Sequence, residues 1–321
     1  MDIKNAKILV TGSSGTIGNY LCEKLMDLGA DVTGVDIKKN IWNYQIDERT
    51  IYLDLRDQNL LKKLPVKFDM VIHLAANARV FNLVKNPDLA RDNFLMIYNV
   101  LEHIRKNDMN RIIFSSSREV YGNTDYIIHS EDEAYVRHCE SSYTATKIAG
   151  EAMIHSYNQC YDMDFIITRF SNVYGKYDYS DRVIPLFILK AVSNEDITVF
   201  GRDKILDFTY IEDTVSGIIN SIVYFESAKN EVYNIATQKG ASIEKVAKNI
   251  LELTNSGSKL YFGENRLGEV CKFVADINKA KALIDYNPEY SLFDGLKKTI
   301  EWYLPKLKEY KKSLISQGIV L

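Results

Sequence analysis

Near its amino end the chain reads Lys7-Ile8-Leu9-Val10-Thr11-Gly12-Ser13-Ser14-Gly15-Thr16-Ile17-Gly18. A short apolar run enters a glycine-rich turn, and a helical pattern leaves it. This order suits a dinucleotide: the glycines permit a tight turn, close backbone approach to a pyrophosphate and close helix–strand packing. The helix start presents unpaired N–H groups and the positive end of a dipole to the phosphates. The spacing is Gly-x-x-Gly-x-x-Gly rather than the commoner Gly-x-Gly-x-x-Gly. Asp36 ends the next apolar run. A carboxylate there accepts the adenosine ribose hydroxyls and repels a 2′-phosphate, so the pattern predicts NAD rather than NADP.

Working outward, Lys7–Val10, Asp31–Asp36, Ile51–Leu55, Met70–Ala75, Arg111–Ser115 and Phe165–Phe170 read as strands. They are continuous and rich in Ile, Val and Leu, as strands covered on both faces should be. Helical patterns fall between them at Ile17–Leu28, Gln58–Leu64, Asp88–Lys106 and Tyr143–Cys160. The alternation predicts an α/β fold with a doubly wound parallel (Rossmann) sheet.

Beyond Phe170 the pattern loosens. Asn172-Val173-Tyr174-Gly175 reads as a loop, Val183–Val192 as a helix and Ile197–Phe200 as a short strand. Asp207–Ile211 and Val232–Ala236 read as a return to the first sheet around a helix from Asp213. Ser242–Leu253 and Leu292–Trp302 are later helices, and the tail after Lys306 is expected to be peripheral. Residues 1–171 with about 205–236 are expected to form the dinucleotide domain. Residues about 172–204 with 237–321 are expected to form a smaller, discontinuous α/β lobe.

The chain has 321 residues, 46% hydrophobic and 26% charged, ordinary for a globular protein. A net charge of -3 argues against nucleic acid or an anionic membrane as partner. Cys22, Cys139, Cys160 and Cys271 are scattered, with no metal or disulfide pattern. A cytoplasmic location is expected: the start runs straight into a strand, without room for a signal peptide, and no apolar run approaches the ~20 residues of a membrane span.

Tyr143 and Lys147 sit about one helical turn apart in Tyr143-Thr144-Ala145-Thr146-Lys147, so both project from one face. A phenol normally titrates near ~10, and a nearby ammonium lowers that value. A Tyr tuned in this way can take a proton from a sugar hydroxyl. Ser117 follows the Arg111–Ser115 strand at the carboxyl edge of the expected sheet, where ligands bind.

These features resemble the extended short-chain dehydrogenase/reductase superfamily, in its nucleotide-sugar epimerase/dehydratase branch. Further matching stretches are Asp54-Leu55-Arg56-Asp57, His73-Leu74-Ala75-Ala76, Asn93 before a long helix, Ser115-Ser116-Ser117 with Val120-Tyr121-Gly122, Arg169-Phe170-Ser171-Asn172-Val173-Tyr174-Gly175, and Arg266-Leu267-Gly268-Glu269-Val270. The match spans Lys7 to about Trp302. The resemblance implies a Ser117–Tyr143–Lys147 triad. It implies that Gly12, Ser14, Gly15, Thr16, Ile17, Asp36, Asp54, Leu55, Leu74, Ala75, Ala76, Asn93, Ser115, Tyr143 and Lys147 meet the NAD. Ser117, Arg118, Glu119, Asn172, Arg202 and Arg266 are the implied substrate contacts. No metal is implied, and His73 reads as a core histidine. A homodimer through Asp88–Lys106 and Tyr143–Cys160 is also implied.

By the same resemblance the reaction is transient C4 oxidation of a nucleotide sugar, a UDP-sugar favoured, through a 4-keto intermediate. Dehydratases of this kind show Thr-Asp-Glu where this chain has Ser117-Arg118-Glu119. Arg118 cannot act as an acid near neutrality, which disfavours 4,6-dehydration. Glu119 also stands where nucleotide-sugar decarboxylases carry a Glu. Arg118 is open to two readings, a partner for a substrate carboxylate or a solvated loop residue paired with Glu119. Relatives often carry an Arg where this chain has Leu206; Arg202 and Lys204 are each open to two readings, a replacement for that charge or plain surface charge.

Overall fold

The computed structural model describes residues 1–264 and 268–319. The amino-terminal half runs β1 (Lys7–Thr11), α1 (Thr16–Asp27), β2 (Asp31–Asp36), α2 (Tyr44–Glu48), β3 (Thr50–Tyr52), α3 (Gln58–Leu61), β4 (Met70–His73), α4 (Val80–Lys85), α5 (Asp88–Lys106) and β5 (Arg111–Ser117). Then follow β6 (Ile128–His129), α6 (Ser142–Tyr161), β7 (Asp164–Phe170), β8 (Asn172–Tyr174), α7 (Val183–Val192), β9 (Ile197–Phe200), β10 (Ile205–Tyr210) and α8 (Ile211–Val223). The remainder is α9 (Phe225–Ala228), β11 (Glu231–Ile235), β12 (Gly240–Ser242), α10 (Ile243–Thr254), β13 (Leu260–Gly263), β14 (Lys272–Ala275), α11 (Asn278–Ile284), α12 (Leu292–Tyr303) and α13 (Leu307–Ser316).

Seven parallel strands form the main sheet in the order β11-β7-β5-β4-β1-β2-β3. Side chains alternate across a strand, so each strand feeds two cores. Ile8 and Val10 pack on one face with Leu21 and Leu25 of α1 and Ile218 of α8. Leu9 packs on the other with Leu101 and Ile104 of α5 and Ile154 of α6. Burial on both faces explains the unbroken apolar runs, and the doubly wound Rossmann sheet is as the alternation predicts.

A second sheet runs β12-β10-β14-β6 with β8 added against β10, and β13 pairs with β9. Three readings change here. Asn172–Tyr174 is a strand, not a loop, in register with Phe208–Tyr210. The segment read as Asp207–Ile211 belongs to the second sheet, because β8, β12 and β14 take its edges, while β11 does return to the first. The tail is not peripheral: Tyr310 and Leu314 of α13 are fully buried. Tyr310 donates to the Ser180 carbonyl at 2.6 Å, and the Gln317 amide donates to the Tyr179 carbonyl at 3.1 Å.

Candidate active site

A cleft of about 580 Å³ opens at the carboxyl ends of β1, β4 and β5, between the glycine turn and the second sheet. Gly12 and Gly15 line it from the turn, Thr16 and Ile17 from α1, Leu74 and Ala76 from the exit of β4, and Ser115 and Ser117 from β5. Gly12 has a φ of +74°, and a Cβ there would meet the Ala75 nitrogen at 2.9 Å. The turn therefore packs directly on the chain leaving β4. A Cβ on Gly15 would meet only the Gly12 oxygen, at 3.2 Å. Gly15 caps α1 with no side-chain hydrogen bond, which leaves the helix start open to the cleft.

Other residues expected around a cofactor support that wall without lining the cleft. The Ser14 N–H donates to Asp36 Oδ2 at 3.0 Å, tying the turn to the end of β2. The Ala75 N–H donates to Thr11 Oγ1 at 3.3 Å. Asp54 is held by Arg56 at 2.6 Å, and the Leu55 carbonyl accepts from the Asn99 amide at 2.9 Å. Asn93 accepts from the Asn77 N–H at 2.7 Å and donates to its carbonyl at 3.1 Å, clamping the loop after β4 to α5.

Ser117, Tyr143 and Lys147 converge on the cleft. Burial pushes the Tyr143 phenol up to about 12, against its hydrogen bond with Ser117 and the nearby Arg182 and Arg118 charges. Burial also lowers Lys147 to about 8. Its ammonium donates to the Ser115 carbonyl at 2.7 Å and lies 5.8 Å from the Tyr143 ring centroid. The phenol therefore lies above its ordinary value rather than below it as expected, because burial outweighs the Ser117 hydrogen bond and the Arg182 and Arg118 charges. His73 is a core residue: it is 2% exposed, bonded to Thr11 Oγ1 at 2.7 Å, and lowered by burial to about 3.

Behind the triad, Arg169 grips Glu151 through Nε and Nη2 at 3.0 and 2.7 Å, and the Ser116 hydroxyl donates to the same carboxylate. Glu151 lies one turn beyond Lys147 on α6, so this buried pair sets how α6 sits on β5 and β7.

Next to the triad, Arg118, Glu119 and Asn172 also line the cleft. Arg118 Nη2 meets Glu119 Oε1 at 2.8 Å, and Nε donates to Asn172 Oδ1 at 3.3 Å. The pair is buried, so Arg118 is no solvated loop residue. Burial raises the Glu119 carboxyl above its usual range, although Arg118 opposes this. Lys204 lines the cleft and pairs with Glu269 at 2.5 Å. Arg202 does not line it, but pairs with Glu244 at 3.4 Å near the surface. Arg266 lies outside the described residues.

Sequence reading did not single out Arg79, Asp178, Asp181 or Arg182, which also line the cleft. Arg79 and Asp181 pair across it at 2.5 Å. The charged run after Asn172-Val173-Tyr174-Gly175 was a signal for the last three, and none marked Arg79. No His, Cys, Asp and Glu grouping fit to hold a metal, and no helix long and apolar enough to cross a membrane, occurs among the described residues.

The sequence profile described as the NAD dependent epimerase/dehydratase family matches residues 8–236. The uncharacterized UDP-glucose epimerase YtcB of Bacillus subtilis is 32% identical, over 92% of this chain and 97% of its own length. A UDP-N-acetyl-alpha-D-glucosaminuronate decarboxylase of Bacillus cytotoxicus is 31% identical over the same shares. The crystal structure of UDP-glucose 4-epimerase from Thermotoga maritima, with UDP-glucose, superposes with a TM-score of 0.87 at 27% identity, covering 94% of this chain and 99% of that one. The match covers the glycine turn, the triad and both sheets' strands through β11, and on it the chain belongs to the NAD-dependent epimerase/dehydratase family.

Proposed function

We propose that the enzyme is a nucleotide-sugar 4-epimerase, acting on a UDP-sugar through a 4-keto intermediate. The observation that carries this reading is the convergence of Ser117, Tyr143 and Lys147 beside the glycine turn in one cleft. The turn Gly12–Gly18 fits a dinucleotide, since Gly12, Gly15 and Gly18 all line the cleft and leave its wall there without side chains. Bound there, NAD supplies the hydride acceptor and, in its oxidised ring, a positive charge. Tyr143, as phenolate, removes the proton from the sugar C4 hydroxyl and later returns it. Ser117 holds the reacting oxygen in line with the phenol. Lys147 adds a buried positive charge that favours the phenolate.

Residues 1–171 with about 211–236 then serve the cofactor, and the remainder, including β10 of the second sheet, serves the nucleotide sugar. A homodimer through α5 and α6 fits the exposed Phe94, Leu95, Tyr98 and Tyr161 on those helices, and sedimentation velocity tests it.

One feature favours a second reading. Glu119 is a buried carboxyl beside Ser117, placed to exchange protons in a decarboxylase or dehydratase. Incubation with UDP-, dTDP- and GDP-sugars, followed by mass spectrometry and NMR, separates the two. An isomer of unchanged mass supports epimerisation; loss of carbon dioxide or water supports a lyase.

A further inference from the structure

We propose that Arg118 and Glu119 form one donor–acceptor clamp that reads an uncharged polar substituent of the sugar, a hydroxyl or an amide, and disfavours a carboxylate. This rests on the nucleotide-sugar reading above.

The two residues follow Ser117 directly and line the same cleft as Tyr143. They are 7% and 5% exposed. Part of the pair is satisfied: Nη2 meets Oε1 at 2.8 Å, and Nε donates to Asn172. Two of its polar atoms are not. Arg118 Nη1, a donor, and Glu119 Oε2, an acceptor, are buried without a hydrogen-bond partner. The Val270 N–H stabilises the Glu119 carboxylate, yet Oε2 itself stays unpaired. Buried groups left this way are costly, so a ligand that satisfies both gains most.

A hydroxyl or an acetamido group both donates and accepts, and so matches the unfilled pair. A carboxylate only accepts. It would satisfy Nη1 while setting a second anion against Oε2. The nearby charges that act on Glu119 also offset each other. Lys204 and Glu269, paired at 2.5 Å in the same cleft, both act on Glu119. With Arg118 and Glu119 they make two cations and two anions.

Calorimetric titration of the NAD-loaded enzyme with UDP-glucose, UDP-N-acetylglucosamine and UDP-glucuronate tests this. At least one neutral sugar nucleotide is expected to bind about tenfold or more tightly than the uronate. Glu119→Gln removes the anion and leaves the Arg118 charge unbalanced, and is expected to shift that ratio about tenfold toward the uronate. A merely structural role for the pair would weaken all three ligands together and leave the ratio unchanged. The clamp is overturned if the uronate binds wild-type enzyme as tightly as both neutral sugars, or if Glu119→Gln leaves the ratio fixed. Should UDP and all three sugars fail to bind, the UDP-sugar reading falls, and the clamp with it.

Discussion

Lys147 Nζ lies 5.8 Å from the ring centroid of Tyr143 and gives its hydrogen bond to the main-chain carbonyl of Ser115, at 2.7 Å. The strand β5 thus holds the ammonium in place, and its effect on the phenol acts through space. Burial brings Lys147 to about 8, so it carries its charge below that pH and loses it above. The help it gives the phenolate is present at neutral pH and fades in alkali. Lys147→Met should therefore lower kcat at neutral pH by about 10²-fold, with less difference from wild type at alkaline pH. A pH–kcat profile of both proteins checks it.

The glycine turn separates folding from binding. Gly12→Ala forces a side chain at φ +74° into the Ala75 backbone, and should cost about 2 kcal/mol or more of stability. Gly15→Ala meets only one oxygen, at 3.2 Å, and Gly15 lines the cleft. It should melt close to wild type while NAD binding weakens about tenfold. Thermal melts and NAD titration on the two variants distinguish these outcomes.

The parts of this molecule that were legible in sequence are those set by local spacing. The β1 run, the turn and Asp88–Lys106 announce themselves through periodicity within a few residues. Tyr143 and Lys147 share a helix face by arithmetic alone. Lys204 and Glu269 are 65 residues apart and meet only through the second sheet, so no local pattern reveals them. Arg118 and Glu119 were visible as residue types, but their burial depends on the cleft closing around them. The tail misled because α13 carries few apolar residues; it docks through Tyr310 and Leu314 on the loop before α7. β8 is three residues long and exists only because β10 offers an edge.

Arg169 and Glu151 form a buried, two-point ion pair under the triad. Removing one partner leaves a charge without compensation. Arg169→Met should cost about 3–5 kcal/mol in denaturant unfolding, and the added change Glu151→Met should recover part of it.

His73 contributes an acid-sensitive share of stability. Its folded-state value of about 3 lies below its ordinary 6.5, so between those values the unfolded chain binds a proton that the folded chain does not. Its stabilising share is whole above the ordinary value and is lost as pH falls toward 3. Any melting-temperature advantage of wild type over His73→Gln at neutral pH should shrink as pH is lowered through this window. Calorimetric scans across the series would show a constant gap if His73 did not titrate in this way.

The most direct measurement is single-turnover and steady-state conversion of a UDP-sugar by the NAD-loaded Tyr143→Phe enzyme, beside wild type. Tyr143 is expected to be the proton acceptor, so its removal should lower turnover by about 10²–10⁴-fold while NAD stays bound and the fold intact. Turnover at the wild-type rate would contradict that role and the chemistry built on it.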